Sequence, residues 1–169
     1  MKKTIKVINE LKEQGLLKDY AIGGAIAALK WTEPFFTRDL DIFIILNRVV
    51  NEKQLINLSP IFEFLKGRGY NSWSGQWLII EGMPVEFLPA AEGVAEEAVE
   101  NAVETTFEGV KTRVISPEYL IALFLIASRD KDKIKIRMLL EQTSINKKHL
   151  QDILMRHHLW EKFKESYGE

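Results

Sequence analysis

Two aspartates one residue apart, Asp39 and Asp41, lead into the most apolar stretch of this 169-residue chain, Ile42-Phe43-Ile44-Ile45-Leu46. On a strand, side chains at i and i+2 share a face about 6.5–7 Å apart, so their inner oxygens can hold a divalent cation between them. Unpaired carboxylates on a buried strand are costly, and a bound metal ion offsets that cost. Asp-x-Asp alone more readily fits two solvated aspartates where a strand enters from a polar loop.

Two neighbouring patterns bear on that choice. Asp39 lies fifteen positions after Gly24, and Gly23-Gly24 separates a short strand pattern, Asp19-Tyr20-Ala21-Ile22, from residues 25–31 of helix-forming composition. Strand, double glycine and helix form a layout that can cradle phosphate, because glycine allows close backbone approach and a helix start attracts anions. The same layout is also an ordinary tight turn. Downstream, residues 77–80 and 83–88 read as strands joined at Glu81-Gly82, with Val85 and Phe87 on one face and Glu86 on the other. Alone, Glu86 fits a solvent-facing position of an antiparallel strand.

Together, Gly23-Gly24, Asp39-Leu40-Asp41 with Thr37 before it, and Glu86 resemble the active site of the minimal nucleotidyltransferases, relatives of the DNA polymerase β fold. The family more often carries an aspartate at the position of Glu86. Ser116-Pro117-Glu118-Tyr119-Leu120-Ile121-Ala122, followed by Arg129-Asp130-Lys131-Asp132, is similar to the C-terminal half of stand-alone nucleotidyltransferases of the abortive-infection toxin type. One departure is Phe124, which stands where many relatives have a lysine, so a nucleotide contact made by that lysine does not transfer.

The resemblance implies a transferase that moves a nucleoside monophosphate from a nucleoside triphosphate to an acceptor hydroxyl, on a tRNA end, a protein or a small molecule, releasing pyrophosphate. It implies two Mg2+ ions, with Mn2+ as an alternative, about 3.5–4 Å apart on Asp39, Asp41 and Glu86, which would also be the catalytic residues. Gly23 and Gly24 would hold phosphates, with Thr37 beside them. Three carboxylates and a triphosphate exceed the charge of two divalent ions, so cations must face the site. Arg38, Arg129 and Lys131 are the candidates, although its neighbours put Arg38 on the opposite face of the strand from Asp39. The competing reading is a catalytically silent nucleotide- or partner-binding domain, such as half of a toxin–antitoxin pair with a cognate antitoxin or toxin as partner.

The elements that must position these residues follow from periodicity. Ile5, Ile8, Leu11 and Gly15 mark an opening amphipathic helix. Asn51 can cap a helix through Leu55, Ile56 and Leu58, which Ser59-Pro60 interrupts before it resumes and ends at Gly67-Arg68-Gly69. Residues 70–74, 77–81 and 83–88 read as a meander, with Trp73, Trp77 and Phe87 as a core cluster. Residues 91–102 read as an acidic, alanine-rich surface helix or partly mobile segment, and short strands at 104–108 and 111–115 flank Gly109. From Ser116 the period is helical, with Leu120, Leu123, Phe124 and Ala127 as the buried stripe and further helices at 134–141, 147–157 and 159–166. The expected fold is α+β: a nucleotidyltransferase-like mixed β-sheet flanked by helices over residues 1–115, with a small helical bundle over 116–169 packed on it.

With 23 Lys+Arg against 24 Asp+Glu and a net charge of −1, the chain has no global basic field of a nonspecific nucleic-acid binder. A helix-turn-helix in the C-terminal part is disfavoured because acids interleave Lys147-Lys148-His149 and Arg156-His157-His158. His149, His157 and His158 lack metal-ligand spacing and read as surface or interface residues. The absence of cysteine rules out disulfides. Apolar runs are strand-length, below the ~20 residues of a membrane span, and Asn9, Glu10 and Lys12 interrupt any signal-peptide core. The expectation is a cytoplasmic protein with no membrane partner.

Overall fold

The alternation of apolar residues along Leu40–Ile45 builds the centre of the fold. The computed structural model describes residues 1–47 and 56–168. Within them the chain runs α1 (Lys2–Glu13), β1 (Asp19–Ile22), α2 (Gly24–Ala28), β2 (Leu40–Ile45), α3 (Ser59–Gly67), β3 (Trp73–Ser74), β4 (Trp77–Ile80), β5 (Met83–Pro89), α4 (Gly93–Glu100), β6 (Val103–Phe107), β7 (Val110–Val114), α5 (Pro117–Ala127), α6 (Asp130–Gln142), α7 (Lys147–Arg156) and α8 (Trp160–Tyr167). The strands form one mixed sheet in the order β3-β4-β5-β2-β1-β7-β6. Its inner pairs are β2 with β5 and β1 with β7, both parallel, and β1 with β2, antiparallel. The fold is therefore α+β, with helices following the sheet.

Local chemistry accounts for the connections. Glu81 and Gly82 both have positive φ, as a two-residue turn joining twisted strands requires, and Ile80 pairs with Met83 across it. On α1, Ile5, Ile8 and Leu11 are buried, and the buried Thr4 hydroxyl donates to the Ile80 carbonyl at 3.2 Å, fastening the helix to β4. Asp19, at the start of β1, accepts from Lys12 at 2.8 Å and from Arg113 of β7. Buried side chains of α5, α6, α7 and α8 join those of the sheet in one hydrophobic cluster.

Several expectations need correction. Pro60 does not interrupt a helix but opens α3, in a first turn where its missing N–H has no intrahelical role. Residues 56–58 are not helical, and the expected helix over 51–55 lies outside the described residues. Of residues 70–74 only Trp73–Ser74 form strand. Trp73 is 52% exposed and meets Phe62 edge-on at 5.3 Å, so it caps the core edge rather than filling it, whereas Phe87 is buried. Ala127 is exposed, and residues 117–122 of α5 are buried all round, not along one stripe. α6 begins at Asp130, four residues earlier than its apolar periodicity suggested.

α4 is neither a surface helix nor a mobile segment. Val94, Ala98 and Val99 are buried, and the helix packs against β1, β2 and α5. Its small residues permit close approach, while its glutamates occupy the outer face. Glu97 there accepts from Arg156 at 2.8 Å and meets His157 at 2.9 Å, tying α4 to the end of α7.

Ala98→Asp would put a charge at a position with 0% exposure, which should destabilise the protein by about 3 kcal/mol or more. Urea unfolding followed by circular dichroism measures this; tolerance within about 0.5 kcal/mol would mean that α4 is a surface helix after all.

Candidate functional site

Parallel pairing of β2 with β5 is what brings the acids together. The register sets Leu40 opposite Val85, Asp41 opposite Glu86 and Ile42 opposite Phe87. Leu40, Ile42, Val85 and Phe87 are buried on one face, so Asp41 and Glu86 both point to the other. Asp39 lies one residue before β2 begins and shares that face. Ligand oxygens of Asp39, Asp41 and Glu86 lie within 4.8 Å of one another, each side chain partly buried.

The glycine pair makes room for this cluster. The Gly23 amide donates to the Asp41 carbonyl at 2.9 Å, extending the β1–β2 ladder by one bond. Gly24 has φ +56°, a left-handed conformation that side chains disfavour, and a Cβ there would overlap the Asp41 carboxylate. A Cβ at Gly23 would overlap the Phe43 ring. Both positions therefore require glycine for packing. α2 is only five residues long and ends at Ala28, short of the expected Trp31.

The acids form part of the wall of a cleft of about 440 Å³ that Thr37, Arg38, Arg129 and Lys131 also line. Arg38 was expected on the opposite face of the strand. It nevertheless lines the cleft from the segment before β2, where its guanidinium lies 5.1 Å over the ring of Phe36, which is 80% exposed. Gly23 and Gly24 are not lining residues; Ala25 is.

Further lining residues lie outside the motifs, among them Phe35 and Phe36 just before Thr37 and Trp77 of β4. Gln76, in the turn between β3 and β4, donates from Nε2 to Glu86 Oε1 at 3.0 Å. Ile134, Lys135 and Met138 of α6 also face the cleft. With Lys131 they fall at i, i+3, i+4 and i+7, one face of a helix, and that spacing was the available signal. Asp132, fully buried, was missed too. Arg129 donates to it from Nε at 2.6 Å, and Lys135 from Nζ at 3.2 Å.

The electrostatics follow from this arrangement. Burial, then the charges of Asp39 and Glu86, push the Asp41 carboxyl up to about 6, against the opposing pull of Arg129 and Lys135. Paired hydrogen bonds from Arg129 and Lys135 outweigh burial at Asp132 and hold it below the ordinary carboxylate range. Three carboxylates whose ligand oxygens lie within 4.8 Å of one another, with no nitrogen or sulfur ligand in the cluster, form a donor set that suits a hard divalent cation. Such an ion would relieve the repulsion that raises Asp41.

Residues 1–168 match the model of a family described as nucleotidyl transferase of unknown function (DUF2204). No curated protein matches the sequence. Among solved structures the fold is similar to the lincosamide antibiotic adenylyltransferase LnuA, lincomycin-bound, with 18% identity over 85% of this chain and 98% of that chain and a TM-score of 0.51. It is also similar to ANT(2'')-Ia in complex with adenylyl-2''-tobramycin, with 15% identity over 91% of this chain and 94% of that chain and a TM-score of 0.52. The solution structure of the antibiotic-resistance factor ANT(2'')-Ia gives 15% identity, 97% and 91% coverage and a TM-score of 0.53. At these identities the likeness is one of fold. No helix among the described residues is long and apolar enough to cross a membrane.

Because its folded pKa is raised, Asp41 favours the fold below about pH 4, and that contribution is lost as pH rises through about 6. Asp41→Asn has no such proton to lose. In metal-free buffer its melting temperature should match that of the wild type near pH 4 and exceed it by a few degrees at pH 7.5. Equal melting temperatures across that range would mean that the acid cluster is not strained.

Proposed function

The chain belongs to the nucleotidyl transferase family of unknown function that its whole described length matches, and from that premise we propose that the cleft transfers a nucleoside monophosphate from a nucleoside triphosphate to an acceptor hydroxyl. The carrying observation is the convergence of Asp39, Asp41 and Glu86 within 4.8 Å in a cleft that also presents four cations, Arg38, Arg129, Lys131 and Lys135.

In this reading Asp39, Asp41 and Glu86 hold divalent cations, Mg2+ first and Mn2+ as an alternative. When bound, the metal polarises the reacting phosphoryl oxygen and neutralises charge on the leaving group. Glu86 receives the proton of the acceptor hydroxyl, while Gln76, which donates to its Oε1, orients the carboxylate. The acceptor oxygen bonds to the α-phosphorus, the bond from that phosphorus to the β-phosphate oxygen breaks, and pyrophosphate leaves with the electron pair. Arg129 and Lys131 at the start of α6, together with Arg38, hold the phosphates by charge-assisted hydrogen bonds. Gly24, lacking a Cβ, lets the backbone pack directly against the Asp41 carboxylate, and Thr37 adds a hydroxyl beside the acids.

The acceptors named for the similar structures belong to those proteins. For this chain a tRNA end, a protein or a small molecule each offers a hydroxyl, and a cognate antitoxin or toxin is a further partner in the toxin-type reading.

Purified protein incubated with each α-labelled ribonucleoside triphosphate, Mg2+ and separated lysate fractions should release pyrophosphate and label one fraction. Asp41→Asn should lower that rate about a thousandfold, the scale on which groups at a reacting centre act, and chelation with EDTA should abolish it. A fully active Asp41→Asn variant would refute the mechanism.

A further inference from the structure

The turn between α5 and α6 holds an ion cluster, built on a buried aspartate, that the three-acid pattern does not contain. Asp132 has 0% exposure. Its Oδ2 accepts from Arg129 Nε at 2.6 Å, and its Oδ1 from Arg129 Nη2 at 3.2 Å and Lys135 Nζ at 3.2 Å. Lys135 is itself confined: its side chain is 11% exposed, and its ammonium lies 5.0 Å over the ring of Phe124 on α5. Both cations line the cleft beside the acids.

Confining an ammonium this way has a cost. Burying a lysine and an aspartate together seldom stabilises a fold relative to apolar side chains of similar size, and a free lysine side chain gives up considerable rotamer entropy. What the arrangement provides is a cation fixed in advance. An ammonium has three donors, and the single carboxylate bond leaves two of them for a ligand in the cleft. The Phe124 ring supports the cation from the side without taking a donor. Because Lys135 lies one helical turn after Lys131, the two ammonium groups can engage neighbouring phosphates of one chain.

We infer that Lys135 is a polyphosphate-binding residue of the cleft, held ready by Asp132 and Phe124, and that Asp132 is a positioning residue acting through Lys135 and Arg129. The inference rests on reading the cleft as a nucleoside triphosphate site and adds which side chains hold the phosphates. It also supplies, from α6, a cation close to the place on α5 where Phe124 stands.

The test uses inorganic tripolyphosphate with Mg2+, which removes any dependence on the base. Calorimetric titration would compare the full-length wild type with Lys135→Gln, Lys135→Arg, Asp132→Asn and the Lys135→Gln/Asp132→Asn double variant, with thermal unfolding of each. Lys135→Gln should weaken binding about tenfold or more, as loss of a charge-assisted contact does, whereas Lys135→Arg should stay within about threefold of wild type. Asp132→Asn should weaken binding to a similar degree, and the double variant should lose less than the product of the two single losses, because both act on one contact. Lys135→Gln binding as tightly as wild type would overturn the inference while leaving the transferase reading intact. Wild type that bound neither tripolyphosphate nor any of the four ribonucleoside triphosphates would overturn both. Should Asp132→Asn fail to fold, the contrast between Lys135→Gln and Lys135→Arg decides.

Discussion

The parallel register between β2 and β5 is the constraint on which the site depends. Pairing Asp41 with Glu86 works because the flanking pairs, Leu40 with Val85 and Ile42 with Phe87, are apolar and buried together. A slip of one residue would turn Glu86 toward the core and set Val85 or Phe87 beside Asp41. The hydrophobic face thus specifies the polar one. The antiparallel β1–β2 pair adds the second condition, since Ile22 opposite Ile42 carries the chain straight into Gly23 and Gly24, where any side chain would overlap the Phe43 ring or the Asp41 carboxylate.

An acid cluster assembled this way is under electrostatic tension, and the helices that follow the sheet answer it. α5 is buried nearly all round and ends at Ser128 in a left-handed conformation, so the chain turns sharply into α6. That turn delivers Arg129, Lys131 and Lys135 to the cleft, with Asp132 as the internal anchor. Apart from Arg38, which precedes β2, the site is therefore built from two sources: acids from the sheet centre and cations from the first two turns of one helix. α4, α5 and α7 fix the second source relative to the first, partly through Glu97, which gathers Tyr119, Arg156 and His157.

What could be read from the sequence was set by how local each signal is. Asp39-Leu40-Asp41 and Gly23-Gly24 are contiguous motifs on either side of one loop, and β-strand periodicity fixes which way their neighbours face. Glu86 was legible only through a resemblance, because nothing local says that β5 lies parallel beside β2; that is a matter of topology. Lys135 was legible in principle through its i+4 spacing from Lys131, whereas Asp132 was visible only as the last residue of Arg129-Asp130-Lys131-Asp132, and only the packing of α6 buries it. α4 was misjudged for a related reason: its alanines and valines suit a close-packed helix as well as a weak surface one, and the glutamates that suggested exposure occupy just one side. Trp73 shows the reverse, since its large apolar ring suggested a core position but the strand carrying it lies at the sheet edge, where only one side is covered.

The central claim is that these three carboxylates form a cation site. Crystals grown without divalent ions and then soaked in Mn2+ test it directly by anomalous scattering. A strong anomalous peak is expected within bonding distance of Asp39, Asp41 and Glu86 oxygens. A fully soaked crystal with no peak at the cluster would contradict a cation site there.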